Sequence, residues 1–202
     1  MDIVTNSFRH AESILKEPEF SEKYLELIEI IKSISDEEII AKFNTSTRNA
    51  KSISEAVNNI IKTKLTSVGW MSESPIFQDS GYLDKRWRLD FAGHDISIEV
   101  AFNHGEAIAW NLLKPVIASE LNHVKKAIQT KIGIIICATE EMKIAGGFDA
   151  AIGEFEKFLT YLNPLRNVLT VPILIIGLKK PETFKIVWDK VGNNNVGRVV
   201  YI

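Results

Sequence analysis

Apolar residues in the first part of the chain recur at helical spacing. Tyr24, Leu25, Leu27, Ile28, Ile30 and Ile31 follow a period near 3.6, which predicts a helix with Ser21 as N-cap and Glu22 in its first turn. Residues 8–15 read as a shorter helix. Over residues 54–64, Val57, Ile60 and Ile61 share one face with Leu65, and Gly69 supplies the stop. The period then drops to two. Residues 86–91 and 96–102 read as the arms of a hairpin across the turn Ala92-Gly93-His94-Asp95. In the second arm Ile96, Ile98, Val100 and Phe102 point to one side and Ser97, Glu99 and Ala101 to the other, because successive side chains of a strand alternate faces.

A helix is predicted over residues 106–129, interrupted or bent at Pro115, then a buried strand over 131–138. Residues 139–147 read as a loop, 148–162 as a helix and 171–178 as a second buried strand. A short strand at 184–188, the turn Gly192-Asn193-Asn194-Asn195 and a last strand at 198–202 follow. The order is helices, then β-β-α-β-α-β, which places the chain in the α/β class as a mixed β-sheet flanked by helices. With no repeat, low-complexity tract or linker to divide it, a single domain over 1–202 is expected. Its residues 1–70 are mainly helical, and 80–202 carry the sheet and its flanking helices.

Composition adds exclusions. A chain of 202 residues buries roughly two thirds of its unfolded surface, core enough without disulfides or structural metal. The single cysteine, Cys137, sits in an apolar run and reads as a small buried hydrophobe. The longest apolar run, 132–138, falls far short of the roughly 20 residues that span a bilayer, and the N-terminus lacks the basic and apolar segments of a secretion signal. A cytoplasmic protein with no membrane partner is expected. Net charge is −2 and the isoelectric point about 6.1, so nothing global announces a polyanion. Distribution says more: residues 1–50 hold 10 acidic against 6 basic side chains, and residues 161–202 hold 2 against 6. An acidic N-terminal part thus faces a basic C-terminal part.

The strongest chemical signal is Asp90 on one arm of the hairpin and Glu99 on the other. Two carboxylates at the same sheet edge can converge on one point and offer a hard divalent cation the oxygen ligands it prefers. The Val100 carbonyl could add a third, since Mg²⁺ keeps several waters and takes few protein oxygens. An ion held there can polarise a phosphodiester and acidify an attacking water. The same acids could equally be chance surface groups of a structural α/β interaction domain. His10, His94 and His123 have no partner at zinc spacing and read as structural or surface residues, while Trp110 on the helix and Trp87 on the strand read as core. The loop at 139–147 follows a buried strand at its carboxyl end, where open α/β sheets bind ligands, and Glu140 and Lys143 are its polar tips. Lys179, Lys180, Lys185, Lys190 and Arg198 could line phosphates or be solvated singly.

Asp90-Phe91, a short turn and Ile98-Glu99-Val100-Ala101-Phe102 together resemble the metal-binding core of the BglII and BstYI type II restriction endonucleases, a branch of the PD-(D/E)XK nuclease superfamily. Further similar segments occur in the same order: His10-Ala11-Glu12-Ser13-Ile14-Leu15, Asn58 through Lys62-Thr63-Lys64-Leu65 to Gly69-Trp70, Ala118-Ser119-Glu120-Leu121, and Val171-Pro172-Ile173 through Ile176-Gly177-Leu178. The likeness extends to about residue 180. It implies a restriction-endonuclease-like sheet core with Asp90 and Glu99 as the catalytic, metal-binding acids and the Val100 carbonyl completing a Mg²⁺ site. It also implies DNA-binding roles for Asn103, His104 and Lys143. Asn can pair bidentately with adenine and a His N–H can donate to guanine, although Asn103-His104-Gly105 also makes a good strand-to-helix turn.

The activity so implied is Mg²⁺-dependent hydrolysis of both strands of a palindromic double-stranded DNA site, leaving 5′-phosphates, by the nuclease of a restriction–modification system. Ala101 departs from the pattern, because the family has Glu, Gln or Lys there to hold or deprotonate the attacking water. Either the metal suffices, or Glu106, Lys114 or Glu120 substitutes, or the chain is a weakened or inactive sequence-specific DNA-binding protein of the same fold. A polar side chain at 101 should project toward the ion. A palindrome repeats each base edge about a dyad, so one domain with one site requires a homodimer, with the helix at 106–129 as its expected interface.

Overall fold

The structure, a computed structural model, describes residues 1–45, 50–120, 123–192 and 194–202. In chain order the elements are β1 (Ile3–Phe8), α1 (Ala11–Leu15), α2 (Ser21–Lys32), α3 (Asp36–Asn44), α4 (Ser54–Ser67), β2 (Met71–Pro75), β3 (Arg88–Gly93) and β4 (Ile96–Val100). Then come α5 (Ile108–Ser119), β5 (Ile132–Ala138), α6 (Glu140–Ala145), α7 (Phe155–Leu162), β6 (Ile173–Leu178), β7 (Phe184–Val191) and β8 (Asn194–Tyr201).

The two continuous apolar runs become β5 and β6, parallel neighbours at the centre of a six-stranded sheet in the order β1-β6-β5-β4-β3-β2. β4 is also parallel to β5, whereas β3, β2 and β1 run antiparallel to their neighbours, so the sheet is mixed. Alternation sorts its side chains. Ile96, Ile98, Ile134, Ile136, Leu174 and Ile176 face one layer, where α2 and α4 bring Leu27, Ile31, Ile60, Ile61 and Leu65. Ile135, Cys137, Ile173 and Ile175 face the other, where α5 and α7 bring Ile108, Leu112, Phe155 and Phe158. A strand buried on both faces needs no polar positions, which is why these runs read as unbroken isoleucine. β7 and β8 form a separate two-stranded ribbon anchored by buried Phe184 and Ile186.

Several elements differ from expectation. The chain opens with a strand, not a helix: β1 pairs with β6, and Arg9 and His10 then turn into α1 with φ of 51° and 60°. α2 is capped by Phe20, and Ser21 is its first residue. The hairpin loop is shorter than four residues, since Ala92 and Gly93 belong to β3; His94 and Asp95 alone make the turn, both with positive φ (52° and 59°), as two-residue hairpin turns of the primed type demand. Residues 139–147 are not all loop, because Thr139 accepts from the Met142 N–H and starts the short helix α6. α7 begins only at Phe155, not at 148. α5 ends at Ser119, Leu121 and Asn122 lie outside the described residues, and residues 123–131 are not helical. Lys125 and Ala127 instead hydrogen-bond to Gln78 and Ile76, which holds this stretch extended against the chain before β3. Asn193 of the last turn also lies outside the described residues.

Nor does α5 break at Pro115. The proline packs on Gly133 of β5, where a Cβ would lie 2.5 Å from the Pro115 Cβ and 2.7 Å from its Cγ. Glycine at 133 therefore sets how closely α5 can lie on the sheet. A Gly133→Ala change should lower stability by about 1–3 kcal/mol through overpacking. At this chain length that is a fall of roughly 2–4 °C per kcal/mol in thermal unfolding followed by circular dichroism. Gly81→Ala, at a position with no other atom within 4 Å of the added Cβ, should leave the transition in place.

Candidate active site

Continuing the β3–β4 register of Phe91 with Ile98 by one step sets Asp90 opposite Glu99. The Val100 N–H donates to Asp90 Oδ2 at 2.7 Å, and the Asp90 N–H donates to Glu99 Oε1 at 3.3 Å, so each carboxylate is gripped by the other strand's backbone. Glu99 is buried and Asp90 half-buried. Burial raises the Asp90 carboxyl above its ordinary range, with the Val100 N–H and Lys114 opposing and nearby Glu73 adding to the rise. Burial, then the charge of Asp90, pushes Glu99 up as well, against the pull of Lys114. Two carboxylates that resist carrying charge together are a ready home for a cation.

One cation is already there. Lys114 Nζ, on α5, lies 2.6 Å from Glu99 Oε2, and both side chains are buried. Of the three substitutes considered for a polar residue at 101, Lys114 is the one the fold brings to the acids. Glu106 is exposed, and Glu120 accepts instead from Thr170 Oγ1 at 2.5 Å. Ala101 does not face an open site. It lies on the same strand face as Glu99, but α5 covers it, and it packs among Ile108, Leu112, Ile135 and Cys137. A polar side chain at 101 would share that face with Glu99 and would have to displace this packing.

Two further neighbours had no site role assigned from the sequence. β2 pairs Ser72 with Phe91 and Ser74 with Leu89, which leaves Glu73 opposite Asp90, and Glu73 has φ of 54°, a left-handed backbone uncommon for glutamate. Its Oε1 lies 3.7 Å from Lys62 Nζ of α4, and both charges act on Asp90. Among the described residues no group of three or more His, Cys, Asp and Glu side chains is poised around one metal position. The donor set is two carboxylates and the Val100 carbonyl.

Beyond β4 the chain reaches Asn103 and His104, both exposed. The Asn103 carbonyl accepts from the Gly153 N–H at 3.0 Å and the Gly105 N–H donates to the Ala151 carbonyl at 2.7 Å, which fixes this loop against the segment before α7. A groove of about 300 Å³ beside this loop is lined by Ser54, Glu55 and Asn58 of α4 with Val100, Phe102 and Asn103. Lys143 is not a free tip: on α6, it is tied to Glu154 at 3.1 Å, as is Lys157 at 3.0 Å. Arg198 is likewise paired with Asp189 at 2.6 Å, while Lys179, Lys180, Lys185 and Lys190 are exposed. Trp87 stands in a 3₁₀ turn before β3 rather than on the strand, its ring 5.3 Å from that of Trp110; both are half-buried.

A model of the restriction endonuclease BglII/BglIII family matches residues 3–178. The chain belongs to this family. It is a type II restriction endonuclease, a hydrolase acting on the phosphodiester bonds of DNA at specific sites. The fold agrees. A crystal structure of restriction endonuclease BglII complexed with a DNA 16-mer is 20% identical over the whole of both chains, with a TM-score of 0.70. A crystal structure of free BglII is 18% identical over the same full coverage, with a TM-score of 0.55. No curated protein sequence matches the chain. The family match ends before β7, so the terminal ribbon lies beyond it.

Two substitutions separate strand from helix as the source of the missing polar group. Ala101→Gln places an amide among apolar side chains and should destabilise the protein by about 1–3 kcal/mol without raising plasmid cleavage. Lys114→Met leaves Glu99 buried without its partner and should cost about 3–5 kcal/mol in the metal-free protein, with a large loss of cleavage. Thermal unfolding and a plasmid assay on both variants check this; faster cleavage by Ala101→Gln would return the polar group to the strand.

Proposed function

We propose that Asp90, Glu99 and the Val100 carbonyl hold a Mg²⁺ ion, and that the chain cuts both strands of a palindromic double-stranded DNA site as a homodimer. The products carry 5′-phosphates, and the protein is the cytoplasmic nuclease of a restriction–modification system. The observation that carries this reading is the pair of carboxylates opposed across the β3–β4 hairpin, both raised above their ordinary range. A single buried ammonium, Lys114, leaves the pair underneutralised, and carboxylate and carbonyl oxygens are the hard donors Mg²⁺ takes alongside retained waters. When bound, the ion would supply Lewis-acid polarisation of the scissile phosphate and a more acidic water.

The chain's own groups do the remaining work. A water oxygen bonds to phosphorus opposite the 3′ oxygen and gives up a proton to solvent, the bond from phosphorus to the 3′ oxygen breaks, that oxygen takes a proton from solvent, and the phosphate stays on the 5′ end. Lys114 Nζ, beside Glu99, is placed to orient that water or a phosphate oxygen, the role the family gives to residue 101. Asn103 and His104 read base edges from the exposed loop beyond Val100. Lys143 contributes to DNA binding by exchanging Glu154 for a phosphate.

The buried, apolar surroundings of Ala101 favour one rival, a protein that binds its site and no longer cuts. Plasmid linearisation in Mg²⁺ decides between them. Asp90→Asn and Glu99→Gln should each abolish linearisation while leaving the gel shift in Ca²⁺ intact, since they remove charge from the metal site and spare the reading loop. Full cleavage by either variant would sink the metal assignment. Light scattering at micromolar concentration should give a mass near twice 22.8 kDa, and a monomer that nicks one strand of its site would overturn symmetric cleavage.

A further inference from the structure

We infer that Asn111 is a positioning residue for base readout: from beneath the loop after Val100 it holds the Asn103 amide in place for DNA, its own amide turning in step with that of Asn103. The inference rests on the proposed role of Asn103 and says how that role is set. Asn111 lies on α5 at 2% exposure, among sheet-facing positions that are otherwise Ile108, Leu112, Pro115 and Ala118, with Lys114 the other polar one. A buried amide in such a row is unfavourable unless it is hydrogen-bonded. Its Nδ2 donates to Asn103 Oδ1 at 3.0 Å, and among the described residues this is the one hydrogen bond of either amide group. Lys114 is explained by Glu99; Asn111 is explained by Asn103.

The bond matters because an asparagine amide is a donor at one end and an acceptor at the other, and a half-turn exchanges them. The backbone of Asn103 is already held by Gly153, and that of Gly105 by Ala151, so the freedom left to Asn103 is in its side chain. With Oδ1 turned toward Asn111, both Nδ2 hydrogens and one remaining Oδ1 lone pair are offered outward. That arrangement suits a base edge carrying acceptors or the N7/N6 pair of adenine. A base that requires the reversed amide can be read only if both amides turn together, so that Asn103 Nδ2 then donates to Asn111 Oδ1. Asn111 therefore orders the reading side chain without touching DNA.

The test uses the full-length chain, a bacteriophage genome of known sequence cut in Mg²⁺ with the ends sequenced, and gel shifts in Ca²⁺ on the mapped site and its single-base variants. Asn111→Leu should still cut, but at one position of the site its discrimination should fall about 10- to 100-fold, the size of a single base contact, with the other positions unchanged. Asn111→Asp, an acceptor only, should pull Asn103 Nδ2 inward and change the base preferred at that position. Asn103→Ala should relax the same position, and the double change Asn103→Ala with Asn111→Leu should be no worse than Asn103→Ala alone.

If Asn103→Ala relaxes one position while both Asn111 variants keep wild-type preference, the positioning role is wrong and the reading of Asn103 stands. If Asn103→Ala changes nothing, the reading beneath fails. Should the Asn111 variants not fold, thermal unfolding of two exposed-site variants decides. Asn103→Asp retains an acceptor for Asn111 and should unfold as wild type, whereas Asn103→Ala should unfold earlier; equal transitions would show that the bond does not exist.

Discussion

Glu99 is a buried carboxylate on a sheet face where Ala101, Ile135, Cys137, Ile173 and Ile175 pack, and the ammonium of Lys114 is what lets it stay there. Moving a carboxylate and an ammonium out of water costs several kcal/mol each, and only close approach with further hydrogen bonds recovers it. Close approach is supplied by Gly133, which lets Pro115 settle against the sheet and brings the preceding residue of α5, Lys114, down to the acid. The same closeness seals residue 101 under Ile108 and Leu112. An alanine there and a lysine on the helix are thus two sides of one packing decision. A large polar side chain at 101 and a helix this near would compete for the same space.

The direction of the strands decides where the site lies. β4, β5 and β6 run the same way, so the chain leaves all three at one edge and builds its loops there, as open α/β sheets do around their ligands. β3 returns antiparallel and carries Asp90 back along that edge to face Glu99. β2 adds Glu73 in a left-handed backbone and α4 adds Lys62, which places an opposed charge pair beside Asp90. The loop after Val100 and the short helix after Ala138 belong to the same edge, so the groups proposed to read and to cut are neighbours by topology.

Much of this was legible in the sequence because burial leaves a period. The alternation of Ile96, Ile98 and Val100 against Ser97, Glu99 and Ala101 gave both faces of β4 correctly, and the runs at β5 and β6 were unmistakable. The opposition of Asp90 and Glu99 followed from a short hairpin and its register. What stayed hidden has physical causes. β1 is a half-buried edge strand whose Thr5, Asn6 and Ser7 give no apolar alternation, so only its ladder with β6 reveals it. The signal for α3 was present: Ser35 caps it by accepting from the Glu38 N–H, the Ser-x-x-Glu pattern of a helix start. The end of α5 was misplaced because residues 123–129, with Val124, Ala127 and Ile128 at helical spacing, keep a tolerable helical pattern while backbone hydrogen bonds of Lys125 and Ala127 go to Gln78 and Ile76. Glu73 depends on a backbone angle, and Asn111 on a contact eight residues away through space, neither of which a linear pattern records.

The two buried polar residues of α5 have one more consequence. Asn111 and Lys114 stand three apart, close neighbours on one helical turn, and each is bonded to a side chain at the carboxyl end of β4, Asn103 and Glu99. Neither bond can be made if α5 rotates or slides, since the pairs are rigid to within a hydrogen-bond length. The helix therefore works as a gauge between the amide assigned to reading a base and the acid assigned to holding the metal. A nuclease that cuts at a fixed distance from the base it reads requires that separation to be constant. Here it is set by a single turn of helix clamped to the sheet by Pro115 and Gly133, well away from solvent.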